Sequence, residues 1–202
     1  MIRKLEGVTI KMWLMFLISS QTIYLVMQTH SIPMIVKEAG GLMIFDVKPL
    51  GYSFTYAVKF LTRLSEEGYN VYTHVQLPLD FFFPLLNCLA GLCLFGLLIR
   101  FSHKLTGKSA LTIHSSFSKI VLSLPLIAMI CDYLENILIL VMLTYQSAVP
   151  RGIVYAGNAF TITKSMATSL FYSLAIIIFI LSCVSWIKKR RKKESIRGTF
   201  WG

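Results

Sequence analysis

The chain contains four long apolar runs, and these constrain its fold more than any other feature. They lie at about residues 12–28, 79–101, 120–145 and 161–187. A helix needs about 20 mostly apolar residues to cross a bilayer. Of the 202 residues, 55% are hydrophobic and only 14% are charged, whereas a soluble domain carries about 25% charge. The sequence therefore predicts an all-α membrane protein: a single four-transmembrane-helix bundle over residues 1–187, followed by a basic tail at 188–202.

The basic residues predict the orientation of the bundle. Most of the 20 lysines and arginines lie in the N-terminal segment, between the second and third runs, and in the tail. Basic segments next to spans remain in the cytoplasm, so both termini are predicted to be cytoplasmic in a bacterial inner (plasma) membrane. A cleavable signal peptide is the alternative interpretation of the first run, since Ser19 and Ser20 follow its apolar core. Apolar residues resume at Ile23, beyond any such cleavage site.

The loop at 29–78, between the first two spans, is too long to be structureless. Ser53 is a plausible N-cap, and Gly68 is a plausible residue just after the helix C-terminus. Apolar residues at helical spacing between them predict an extracytoplasmic amphipathic helix. The stretch Tyr69–Leu77 is expected to extend the second span outward, with Pro78 and Pro84 kinking it.

Three polar residues interrupt the third run. Asp132, Glu135 and Asn136 are spaced i, i+3 and i+4 and so share one helix face. An aspartate costs about 2.5–3.5 kcal/mol near the centre of a spanning helix, so these carboxylates should face protein or water and find partners. We expect a polar cavity or ligand-binding network in the outer half of the bundle, formed by Asp132, Glu135, Asn136, Lys164, Asn87, Asp80, Gln21, Thr168 and Tyr172.

Three kinds of function fit this pattern. The leading hypothesis is a protein that binds or handles a small or lipid-like molecule, a cation or a proton, with Asp132 and Glu135 as acidic partners and Lys164 as counter-ion. The second is an oligomerising structural or pore-forming protein. The third is a membrane enzyme that uses the two carboxylates on a lipid. Polar residues also join helices without any further function, and a Glu135–Lys164 pair would serve that purpose.

The expected partners are the lipid bilayer and its anionic headgroups. The headgroups would meet six consecutive cations in the tail, namely Lys188, Lys189, Arg190, Arg191, Lys192 and Lys193. A homo-oligomer is one option, and no nucleic-acid partner is predicted. The sequence predicts no cofactor and no metal site, because its histidines and cysteines lack metal-ligand spacing.

Two stretches carry a resemblance to a family of small bacterial four-span membrane proteins. The first is Asp46–Ser53 with Glu67–Tyr69, and the second is Leu77–Pro84 with Asp132–Asn136. The resemblance implies four spans and an external helical loop, and it supplies no mechanism. It directs attention to Asp46 in addition to the polar residues named above.

Overall fold

The chain folds into five helices in a computed structural model that describes residues 7–106 and 115–199. Helix α1 is Ile10–Glu38 and α2 is Phe54–Arg63. Helix α3 begins with Glu66–Val71, passes through Tyr72–Gln76 and continues as Leu77–Thr106; α4 is Ser115–Tyr145, and α5 is Arg151–Thr199. Short 3₁₀ turns occupy Phe45–Val47 and Gln146–Ala148. The described residues include no strand.

Four of these helices are long and apolar enough to cross a membrane. The spanning candidates are Ile10–Glu38, Glu66–Ser102, Phe117–Ala148 and Arg151–Lys188. Each contains one of the predicted runs and extends beyond it. Large apolar side chains remain exposed on their outer faces, as at Met166 (68%) and Ile176 (59%), which is the surface that a lipid environment requires. Lys188 belongs to α5, whereas the side chains of the other five tail cations lie outside the described residues.

The loop helix begins where the sequence predicts and ends earlier. The Ser53 hydroxyl accepts a hydrogen bond from the Tyr56 amide (3.1 Å), which makes Ser53 the N-cap of α2. The prediction that Gly68 ends this helix is wrong, because α2 stops at Arg63 and Gly68 lies inside α3. Ser65 caps α3 and is followed by two glutamates, a combination that starts a new helix strongly.

Two π-helical turns face each other where α1 and α3 approach the loop. They are Met27–Ser31 in α1 and Tyr72–Gln76 in α3. The Ser31 hydroxyl donates to Gln76 Oε1 (2.6 Å), and Gln76 Nε2 lies 3.3 Å from the Met27 sulfur. Gln76 is buried, so these contacts satisfy an amide that would otherwise destabilise the interior.

The apolar core is divided into two clusters along the bundle. One contains Phe45, Phe60 and Tyr72 together with Ile139 of α4. The other contains Phe95, Leu124 and Phe171. The polar residues of α4 therefore lie between the two clusters. At the end of the bundle away from the loop, the Arg100 guanidinium donates to the Val8 carbonyl, which places the start of α1 beside the end of α3.

Candidate functional site

A buried lysine on α5 connects three carboxylates from different parts of the chain. Lys164 Nζ lies 2.7 Å from Asp132 Oδ1, 2.6 Å from Glu135 Oε2 and 3.8 Å from Asp46 Oδ1. Glu135 is fully buried, and the Lys164 side chain is only 13% exposed. The contact of Lys164 with Asp132 and Glu135 is the one expected from the sequence. It neutralises part of the charge that α4 carries into the apolar interior.

A threonine one turn before Lys164 binds the second carboxylate oxygen of Glu135. The Thr161 hydroxyl donates to Glu135 Oε1 (2.6 Å), and Thr161 itself is buried. Residues 161 and 164 lie on the same face of α5 because they are three positions apart. Both Glu135 oxygens therefore have a close polar neighbour on α5. Thr161 is not among the residues predicted from the sequence, since a threonine in an apolar run gives no signal of its own.

Asp46 reaches this group from the loop between α1 and α2. The 3₁₀ turn Phe45–Val47 holds it, and the Tyr72 hydroxyl donates to Asp46 Oδ2 (3.1 Å). One oxygen each of Asp46, Asp132 and Glu135 lies within 4.8 Å of the others, a spacing that suits a metal ion. The Lys164 ammonium already lies beside these oxygens, so it serves as their counter-cation in this arrangement.

The segment after Asp46 is attached to α5 through its backbone. The Tyr52 amide donates to Asn158 Oδ1 (2.6 Å), and Gly51 adopts φ +86°, a conformation that favours glycine. The Tyr52 side chain is buried. Burial raises the pKa of the Tyr52 hydroxyl well above its ordinary value, and the negative charge of Glu135 raises it further. Tyr52 thus stays protonated beside the acidic group.

A cavity of about 380 Å³ opens next to the carboxylates. It lies between α1, α3, α4 and α5, with Asp46 and Pro49 of the loop contributing to its wall. Its polar lining includes several of the residues that the sequence singled out, and its remaining wall is largely aromatic and apolar. The predicted residues that line it are Asp80, Asn87, Asp132, Lys164, Thr168 and Tyr172; Tyr24, Gln76, Ser165 and Ser169 line it as well.

Three predicted members of the network lie elsewhere or play a different part. Gln21 is exposed on α1 and does not line the cavity, whereas Tyr24 and Met27 of the same helix do. Asn136 donates to the backbone carbonyl of Asp80 (3.3 Å) and so joins α4 to α3. Glu135 lies behind the cavity wall rather than in it.

Comparisons of the chain with protein-family models, with curated proteins and with solved structures find no match.

Proposed function

We propose that this chain is an integral membrane protein that binds a small or lipid-like molecule, or a cation, in a polar intramembrane cavity facing outward. One observation carries the proposal. The wall of the cavity of about 380 Å³ includes acidic residues from α3, α4 and the loop, together with Lys164 of α5. Small-molecule sites have volumes of about 300–1,000 Å³, mostly apolar walls and a few convergent polar groups.

The site contains more acidic residues than are needed to pair two helices. A single ion pair between Glu135 and Lys164 is enough to hold α4 against α5. Here Asp46 is added from the loop and Asp80 from α3, and both line open space. Ionisable groups placed within a membrane are costly and commonly mark a path or a binding site. These two additional acids favour binding over a purely structural role.

The distribution of charge supports an outward-facing cavity. Val8, which precedes α1, and Arg100 near the end of α3 meet at one end of the bundle. The loop with Asp46 lies at the opposite end of these two helices, where α1 finishes and α3 begins. If the basic segments are cytoplasmic, as the positive-inside rule requires, the mouth of the cavity faces outward.

Native mass spectrometry of protein purified from its membrane in mild detergent tests the proposal. We expect a bound mass on the wild type that is lost in a Thr168→Trp variant, which fills the cavity. Ile176→Trp is the matched control, because it places the same indole on the exposed face of α5. Thermal unfolding of both variants shows that they are folded. A wild type that carries no bound mass, or a Thr168→Trp variant that keeps it, would overturn the proposal. The same spectra report the number of subunits.

A further inference from the structure

Asp80 differs from the other acids of the site because its carboxylate has no hydrogen-bond or ion-pair partner among the described residues. It is only 4% exposed and lines the cavity. Asp132 and Glu135 pair with Lys164, and Asp46 accepts a hydrogen bond from Tyr72. Among the residues that the structure describes, none donates a hydrogen bond to the Asp80 carboxylate or forms an ion pair with it; only its backbone carbonyl is bonded, to Asn136.

The site also carries more negative than positive charge. Three carboxylates line the cavity and that of Glu135 lies behind its wall, whereas Lys164 is the one cation among the described residues that line it. Lys164 is already engaged by Asp132 and Glu135 at 2.7 and 2.6 Å. A buried charge without a counter-charge costs several kcal/mol. Since the described residues offer Asp80 no ion pair, its carboxylate needs either a bound cation or a proton.

The wall near Asp80 indicates what kind of cation fits. Tyr24 stacks on Phe83 with ring centroids 5.8 Å apart, and both line the cavity together with Pro84 and Tyr172. Aromatic faces attract ammonium groups, and quaternary ammonium ligands commonly bind in such surroundings. Small inorganic cations such as Ca²⁺ instead take six to eight oxygen ligands. Apolar rings beside one free carboxylate suit an organic cation better.

We propose that the ligand is an organic ammonium compound whose charged nitrogen binds the Asp80 carboxylate while its carbon groups pack against Tyr24 and Phe83. The inference rests on the proposed function, since it assigns a ligand class to the same cavity. The ammonium group belongs either to a free amine or to a lipid headgroup. Both sources present the same chemistry to Asp80.

Thermal unfolding in detergent with matched probes tests this assignment. Choline is compared with 3,3-dimethyl-1-butanol, which has the same shape without the charge. We expect choline at ten times its Kd to raise the Tm of the wild type by about 4 °C, and the neutral analogue to leave it unchanged. Lysophosphatidylethanolamine and lysophosphatidylglycerol form the lipid arm. Stabilisation by lysophosphatidylethanolamine, without stabilisation by lysophosphatidylglycerol or choline, would identify a lipid headgroup as the source of the ammonium group. That result would support the proposal equally.

Two variants test whether the Asp80 carboxylate binds an ammonium group or has only a structural role. Asp80→Asn should abolish this Tm shift, because the amide keeps the shape of the carboxyl group on the cavity wall but carries no negative charge. Glu67→Gln, which removes a carboxylate from the exposed start of α3, should keep the shift. Equal stabilisation by choline and by its neutral analogue would overturn the ammonium assignment. The assignment would also fail if neither choline nor lysophosphatidylethanolamine raised the Tm. If a bound mass is still seen by native mass spectrometry, only this inference fails; if it is absent as well, the proposed function fails too.

Discussion

Lys164 is the residue on which the polar interior depends most. Its ammonium lies within 4 Å of three carboxylates, two of them at hydrogen-bonding distance. Removing one partner from a buried ion pair costs about 3–5 kcal/mol, because the other charge is left without compensation. Here a single substitution leaves several acids together without their cation.

We therefore expect Lys164→Met to lower the free energy of unfolding by about 3–5 kcal/mol, measured by denaturation in detergent. Lys59→Met is the matched control, since Lys59 is exposed on α2 and its loss should change little. Combining Lys164→Met with Glu135→Leu and Asp132→Leu should recover part of the loss. If Lys164→Met and Lys59→Met were equally stable, the ion pairs would not contribute as described.

Thr161 offers a smaller test on the same helix. Thr161→Val keeps the shape of the side chain and removes the hydrogen bond to Glu135. A hydrogen bond to a charged group contributes about 1.5–3 kcal/mol, and thermal unfolding should show a loss of this size. Thr163→Val is the control, because the exposed Thr163 hydroxyl bonds only to the Ala159 carbonyl of its own helix. Similar losses in both variants would argue against a special role for the Glu135 contact.

The loop that carries Asp46 packs closely against α5, where the Tyr52 side chain lies over Gly157. A β-carbon at Gly157 would lie 2.8 Å from the Tyr52 hydroxyl and 3.3 Å from Met142. Real side chains do not approach so closely, so Gly157 provides the space that Tyr52 occupies. This contact helps to place the segment that contributes Asp46.

Gly157→Ala should therefore destabilise the protein by about 1–3 kcal/mol through overpacking, and it should weaken any ligand stabilisation by displacing Asp46. Gly152→Ala is the matched control on the same helix, since nothing lies within 4 Å of its added β-carbon. Alanine favours helix more than glycine does, so the control should be no less stable than the wild type. Thermal unfolding of the two variants decides the point, and equal stability would contradict the packing described.

The sequence predicts the spanning helices and part of the site, and the reasons for its failures are local. Apolar length is enough to find α3, α4 and α5, and the cost of burying Asp132 is enough to expect a partner such as Lys164. Gln21 was expected inside because hydropathy does not indicate which face of α1 turns inward; the weakly amphipathic helix carries no such signal. The position of Asp46 depends on a folded loop, which spacing along the chain does not encode.

The direction in which the cavity opens depends on which side of the membrane each end of the bundle occupies. We expect a green fluorescent protein fused to the C-terminus to fluoresce and alkaline phosphatase fused at the same place to be inactive, because the basic segments should remain in the cytoplasm. A cysteine at exposed Thr55 on α2 should react with an impermeant maleimide in intact cells. An inactive green fluorescent protein together with an active alkaline phosphatase would show that the C-terminus lies outside the cytoplasm, which is the opposite orientation.

The rate at which charged reagents modify a cysteine placed in the cavity would show whether the cavity is acidic and open to the outside. Ser165→Cys, made in a variant whose four native cysteines are replaced by alanine, puts a thiol in the lining beside Lys164. In intact cells we expect a cationic methanethiosulfonate to react at least about tenfold faster than an anionic one, as an acidic cleft concentrates cations. Thr55→Cys, outside the cavity, should show little preference, and Asp80→Asn should reduce the preference at Ser165→Cys. Equal rates for the two reagents, or reaction only after the cells are permeabilised, would contradict an acidic cavity that opens outward.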